Sequence, residues 1–179
     1  MNFKSYRIID NLMRNDKYLP ITIALLLTFC LLSCDGGLAP KPESEKSYLN
    51  GTLRFVNGIA DWPHEDSILA VRVVAFKKFP DSTGIFADIL SGNAYFTLAS
   101  LPLFVDSSRF AFEITDSPTD LVYIAAIQQF DTLITSQRVI GLYNISDEKH
   151  KPSTIRIEPG KHYDITIDID FKDLPPMPF

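Results

Sequence analysis

The chain contains three histidines, two cysteines and one tryptophan, and the chemistry open to it depends on what stands around them. Serine-type acyl transfer needs a nucleophile on a strained turn with a histidine and an acid converging on it. No Gly-x-Ser-x-Gly occurs, and His64, His150 and His162 fall in a turn, a charged loop and a strand start, each among polar neighbours, where histidine is commonly a surface residue. Metal ligation has two candidate sources, His64-Glu65-Asp66 and the acids Asp164, Asp168 and Asp170. On an extended chain, alternate side chains of one row stand roughly 6.6 Å apart. That is too far for two of them to grip one calcium at about 2.3 to 2.6 Å, and no Asp-x-Asp-x-Asp-Gly spacing is present. These acids read as a solvated face that discourages pairing with another molecule, and neither a metal nor a cofactor is expected.

The remaining candidate is the loop from Asn57 to Ser67, which holds Trp62, Pro63 and His64. Loops on a rigid scaffold are where recognition is usually placed, and an exposed Trp62 would make this a contact loop. The competing reading folds Trp62 back as an end plug, with Pro63 fixing the chain direction and Ile59 packed beside it.

Upstream of all these residues, an apolar run extends from Tyr18 to Cys34 behind a basic flank of Lys4, Arg7, Arg14 and Lys17. Its apolar core, Leu19 to Leu32, matches a targeting segment and is shorter than the roughly 20 residues that a spanning helix needs. An uncleaved anchor helix is the alternative, and Met13 is a second candidate start. The run closes on Leu31-Leu32-Ser33-Cys34, which resembles the lipobox of bacterial lipoproteins. The resemblance implies cleavage between Ser33 and Cys34, lipidation of Cys34, and a signal peptide over 1–33. Cys30 would then leave with the signal peptide and Cys34 would be capped. No thiol would remain for catalysis or a disulfide, and stability would rest on burial.

Removing the four cations and two acids of the first 33 residues leaves 13 Lys and Arg against 20 Asp and Glu, a net of −7. That charge disfavours nucleic acid and any electrostatic hold on anionic lipid. The membrane would be reached through acyl chains on Cys34, at about 0.8 kcal/mol per buried methylene.

The elements that must position these residues begin after a linker. Residues 34–47 carry Gly, Pro and charge and almost nothing to bury, so the domain is expected over 48–179. Tyr163, Ile165, Ile167, Ile169 and Phe171 alternate with His162, Asp164, Thr166, Asp168 and Asp170, which is a strand with one buried and one wet face. Comparable runs are Leu49 to Val56, Ile68 to Phe79, Arg109 to Ile114, Leu121 to Phe130, Gln137 to Tyr143 and Thr154 to Ile157. The runs at Val71–Phe76 and Val122–Ile127 are apolar at nearly every position, as central strands are. Within Ile85 to Ser100, Ala-Asp-Ile-Leu-Ser-Gly is compatible with a turn of helix and Ala94 to Thr97 with a short edge strand. Glu158-Pro159-Gly160-Lys161 reads as a turn joining the last two strands in a hairpin, and Pro175-Pro176-Met177-Pro178 ends the strand pattern. Together these predict an all-β domain, a single two-sheet antiparallel β-sandwich of about seven strands, prealbumin-like or Ig-like.

The order Gly51-Thr52-Leu53-Arg54-Phe55, Asp61-Trp62-Pro63, Val71 to Phe76, then Pro159-Gly160-Lys161 leading into Ile165 to Phe171, is similar to small lipoproteins of the Bacteroidota. More distantly it resembles the prealbumin-like sandwich of carboxypeptidase regulatory-like domains. The resemblance implies a non-enzymatic lipoprotein anchored in the bacterial cell envelope, with the membrane and its side left open. Its sandwich would serve as a structural or binding module for an envelope protein or glycan. Two alternatives stand beside it. Trp62 and the tyrosines suggest a carbohydrate-binding or adhesion module using strand-end loops. A transthyretin-like hydrolase would need a convergent His and Arg constellation.

Overall fold

The computed structural model describes residues 45–81, 85–133, 135–148 and 150–178. The chain divides into two units, Met1–Glu43 and Ser44–Phe179, and the described residues belong to the second. Ser33, Cys34 and the whole of 1–33 lie outside them.

The described residues form nine strands: β1 (Ser47–Phe55), β2 (Ala70–Phe76), β3 (Ala94–Phe96), β4 (Ser107–Ile114), β5 (Thr119–Leu121), β6 (Tyr123–Gln129), β7 (Gln137–Leu142), β8 (Ile155–Ile157) and β9 (His162–Ile169). One short helix, α1 (Ile85–Leu90), and two 3-10 turns, Gly58–Asp61 and Glu65–Ser67, complete the described elements. The fold is the expected all-β sandwich. Its layers are a three-stranded sheet in the order β4-β1-β9 and a four-stranded sheet in the order β3-β2-β6-β7, with a small β5-β8 ribbon.

The two apolar runs form β2 and β6, the central pair of the four-stranded sheet, as their composition requires. β3 forms at the sheet's edge beside β2, and α1 precedes it. The count exceeds seven because β3 forms and because the Leu121–Phe130 run breaks at Val122 into β5 and β6. β1 begins at Ser47, one residue inside the expected linker. The Ser47 side chain is buried there and donates to the Glu158 carbonyl at 2.8 Å.

Two expectations fail together. The turn at Glu158–Lys161 exists, with Gly160 at φ 69° and the Lys161 amide donating to the Glu158 carbonyl at 3.4 Å. It does not make a hairpin. β8 pairs with β5, while β9 crosses to the other sheet and runs parallel to β1, Leu53 opposite Ile167. The sandwich is therefore mixed and not purely antiparallel. Parallel neighbours need a long connection, and here nearly the whole domain lies between them in sequence.

Alternation then fills the core. β1 turns Leu49, Leu53 and Phe55 inward, β4 turns Phe110, Phe112 and Ile114, and β9 turns Ile165, Ile167 and Ile169. Facing them are Val71, Val73, Ala75, Ile124, Ala126 and Ile140 of the four-stranded sheet. The other face of that sheet carries a smaller apolar cluster that includes Val74, Phe76, Tyr123, Ala125 and Val139, with Ile89 of α1 packed against it.

The two flanks of the sandwich differ. On one, β7 meets β9 so closely that a Cβ at Gly141 would stand 2.9 Å from the Asp168 carbonyl oxygen. A bulge in β7 opposite Ala126 and Ile127 adjusts the strand there. On the other flank lie the edges β3 and β4, joined through the core by the Tyr95–Phe112 ring contact at 6.2 Å.

Candidate functional site

Trp62 is a plug. It is 9% exposed and sits in a ring of aromatics, 4.3 Å from Phe55 and 5.2 Å from both Phe104 and Phe171, centroid to centroid. Its indole Nε1 donates to the Val105 carbonyl at 3.1 Å, so the one polar atom of the side chain is satisfied as it is buried. Ile59 is not the packing partner; it is 55% exposed and engages through its backbone, the carbonyl accepting from the Trp62 amide at 3.3 Å and the amide donating to Asp106 at 3.2 Å. Phe104 and Phe171 fill that role because the β3–β4 connection and the segment after β9 both cross this end of the sandwich. Lys172 ties the arrangement by donating to Asp61 at 2.8 Å, and that hydrogen bond holds the Asp61 carboxyl below its usual range.

The rest of the loop is surface. Pro63 is half-buried and His64 exposed. His64 Nδ1 accepts from the Asp66 amide at 3.4 Å, capping the second 3-10 turn. The other histidines lie elsewhere: His150 is 3.3 Å from Asp173, and His162 stacks on Tyr48 at 4.9 Å. The three are not brought together.

The acids of β9 form the expected wet row. Asp168 receives two hydrogen bonds from Arg54, at 2.7 and 2.5 Å, in a cross-strand pair between β1 and β9. Beside this row an open groove of ≈ 730 Å³ runs between β9 and the loop after β7, with Asp164, Asp170, Tyr143 and His150 among its walls. Among the described residues no group of three or more metal-ligating side chains is placed to hold an ion.

One polar cluster that bridges the two sheets was not visible in the sequence. Tyr95 of β3 and Lys77 just past β2 both donate to the carboxylate of Asp116, just past β4, and the Lys77 ammonium lies 5.1 Å over the Tyr95 ring. Burial, and then the bond to the Asp116 charge, push the Tyr95 phenol well above its ordinary value. Burial would also raise Asp116, but the hydrogen bonds from Lys77 and Tyr95 outweigh it and leave the carboxyl below the usual range. A phenol that keeps its proton and a carboxylate already spent on two donors are poor acid–base partners for a substrate. They pin the ends of the two open edges together instead. Tyr95 follows Lys77 by 18 positions and Asp116 follows Tyr95 by a further 21, so no local spacing marks the cluster.

No family model, no curated protein and no solved structure matches the chain.

Proposed function

We propose that the protein is an exported lipoprotein of the Bacteroidota type, anchored in the cell envelope through acyl chains on Cys34, whose sandwich is a non-catalytic structural or binding module. The observation that carries this reading is the basic flank and apolar run closed by Leu31-Leu32-Ser33-Cys34, followed by a polar linker leading directly into a β-domain. The prealbumin-like relationship belongs to the same proposal. Among the described residues no helix is long and apolar enough to cross a membrane. In support of a non-catalytic role, the polar clusters of the domain are spent on each other: Arg54 on Asp168, Lys172 on Asp61, Lys77 and Tyr95 on Asp116. The burial of Trp62 also removes the side chain that favoured sugar stacking by the strand-end loop.

Metabolic labelling with an alkyne fatty acid in a bacterial host tests the anchor. The wild-type chain is expected to take label and run as the cleaved form. Cys34→Ala is expected to lose the label and accumulate as precursor. Normal cleavage of the Cys34→Ala chain would overturn the reading.

A further inference from the structure

The hydrogen-bond parity of β1 decides which backbone groups of β4 are used. The Tyr48 and Val56 amides donate toward the β9 side, to the carbonyls of Lys161 at 2.9 Å and Ile169 at 3.0 Å, whereas the Phe55 amide donates to Asp106 at 3.1 Å. Even-numbered residues of β1 therefore serve β9 and odd-numbered ones serve β4. Their β4 partners are Ser108 opposite Leu53, Phe110 opposite Gly51, Phe112 opposite Leu49 and Ile114 opposite Ser47. In an antiparallel pair such residues exchange both bonds. Ser107, Arg109, Ala111 and Glu113 consequently turn their N–H and C=O groups away from the sheet. All four are exposed, and among the described residues none enters the backbone bonds of loops and turns.

A regular edge of this length is a template for another strand, and its side chains are self-complementary. Two β4 strands placed antiparallel with Ala111 opposite Ala111 put Arg109 of each opposite Glu113 of the other. The parity is right, because each residue in those pairs directs its backbone groups outward. Arg109 is also the one arginine among the described residues with no polar partner in its own chain; Arg54, Arg72, Arg138 and Arg156 are all hydrogen-bonded. Glu113 is held by Lys46 at 2.8 Å, so a second copy's arginine would extend an existing ion pair. Alongside, Leu98 is 83% exposed between Thr97 and Leu101, both of which bond to the outer edge of β2. An apolar side chain thus borders the same flank.

We propose that the β4 edge is a self-association site, at which two copies of this chain pair β4 with β4 about a two-fold axis through Ala111, matching each Arg109 to Glu113 of the second copy. The joined sheet would run β9-β1-β4-β4-β1-β9, an isologous interface that closes on itself.

The test uses the full chain in detergent, with molar mass followed by light scattering at increasing protein concentration. The wild-type chain is expected to dimerise. Arg109→Glu and Glu113→Arg, each alone, place like charges opposite one another and are expected to weaken self-association roughly tenfold or more. Mixing the two variants restores opposite charges at both positions, and the mixture is expected to dimerise again. Far-ultraviolet circular dichroism on each variant verifies that the exposed substitutions leave the fold intact. A chain that stays monomeric throughout would overturn the proposal. So would a dimer indifferent to both substitutions, which would place association elsewhere, for instance in the apolar N-terminal run.

Discussion

The two flanks of this sandwich solve the same problem in opposite ways. Every open sheet ends in a strand whose outward N–H and C=O groups lack partners. On the β7–β9 flank, Gly141 lets one sheet's edge close against the other's, within a distance at which a Cβ would be 2.9 Å from a backbone oxygen. On the β3–β4 flank the sheets stay apart, pinned at one end by Tyr95, Lys77 and Asp116, and β4 presents a regular edge with alternating charge. One flank contributes to the fold and the other is available for contact. Substitutions on the two flanks are therefore expected to affect different observables.

The largest effects fall where side chains bridge the layers. Trp62→Ala is expected to destabilise the domain by about 3 to 5 kcal/mol, and Trp62 emission in the wild type to be blue-shifted and poorly quenched by acrylamide. On the closed flank, Ile167→Ala is expected to cost about 2 to 5 kcal/mol, while its exposed neighbour Asp168→Ala changes chemical-denaturation stability by about 0.5 kcal/mol. Equal losses at 167 and 168 would mean that β9 turns the opposite face inward. Gly141→Ala should cost about 1 to 3 kcal/mol, since one of the atoms it meets at 2.9 Å is the Asp168 backbone oxygen, which cannot rotate away. On the open flank, Ala111→Ser is expected to leave monomer stability within about 0.5 kcal/mol of wild type. A loss at 111 comparable to that at 141 would erase the distinction between flanks.

The smallest effect concerns the pin. The folded-state pKa of Asp116 is depressed, so its stabilising contribution is present above the ordinary carboxylate pKa and lost as pH falls through the lower folded value. Below about pH 4, thermal stability of the wild type should therefore fall more steeply than that of Asp116→Asn, which has no charge to lose there. Identical slopes would show that the pin contributes nothing.

Much of this was legible from local pattern. The alternation from Tyr163 to Ile169 gave the buried face of β9, the continuous apolarity of Val71–Phe76 and Val122–Ile127 gave the central strands, and the pairing of Trp62 with Pro63 suggested a plug. Pairing partners were not legible. Pro159-Gly160 specifies a turn, yet nothing in those residues says that β9 will pass β8 and lie parallel to β1, whose partner positions are 114 residues away. Nor does Arg109-Phe110-Ala111-Phe112-Glu113 announce an edge: its alternation marks the inner face, and only the parity of β1 shows which backbone groups are left over.

Hydrogen exchange along β4 tests the division between flanks most directly. In dilute solution the amides of Arg109, Ala111 and Glu113 should exchange rapidly while those of Ser108, Phe110 and Phe112 stay protected, and raising the protein concentration should slow the first three. Uniform protection of all six at every concentration would contradict the account, because it would mean that this edge is already closed within a single chain.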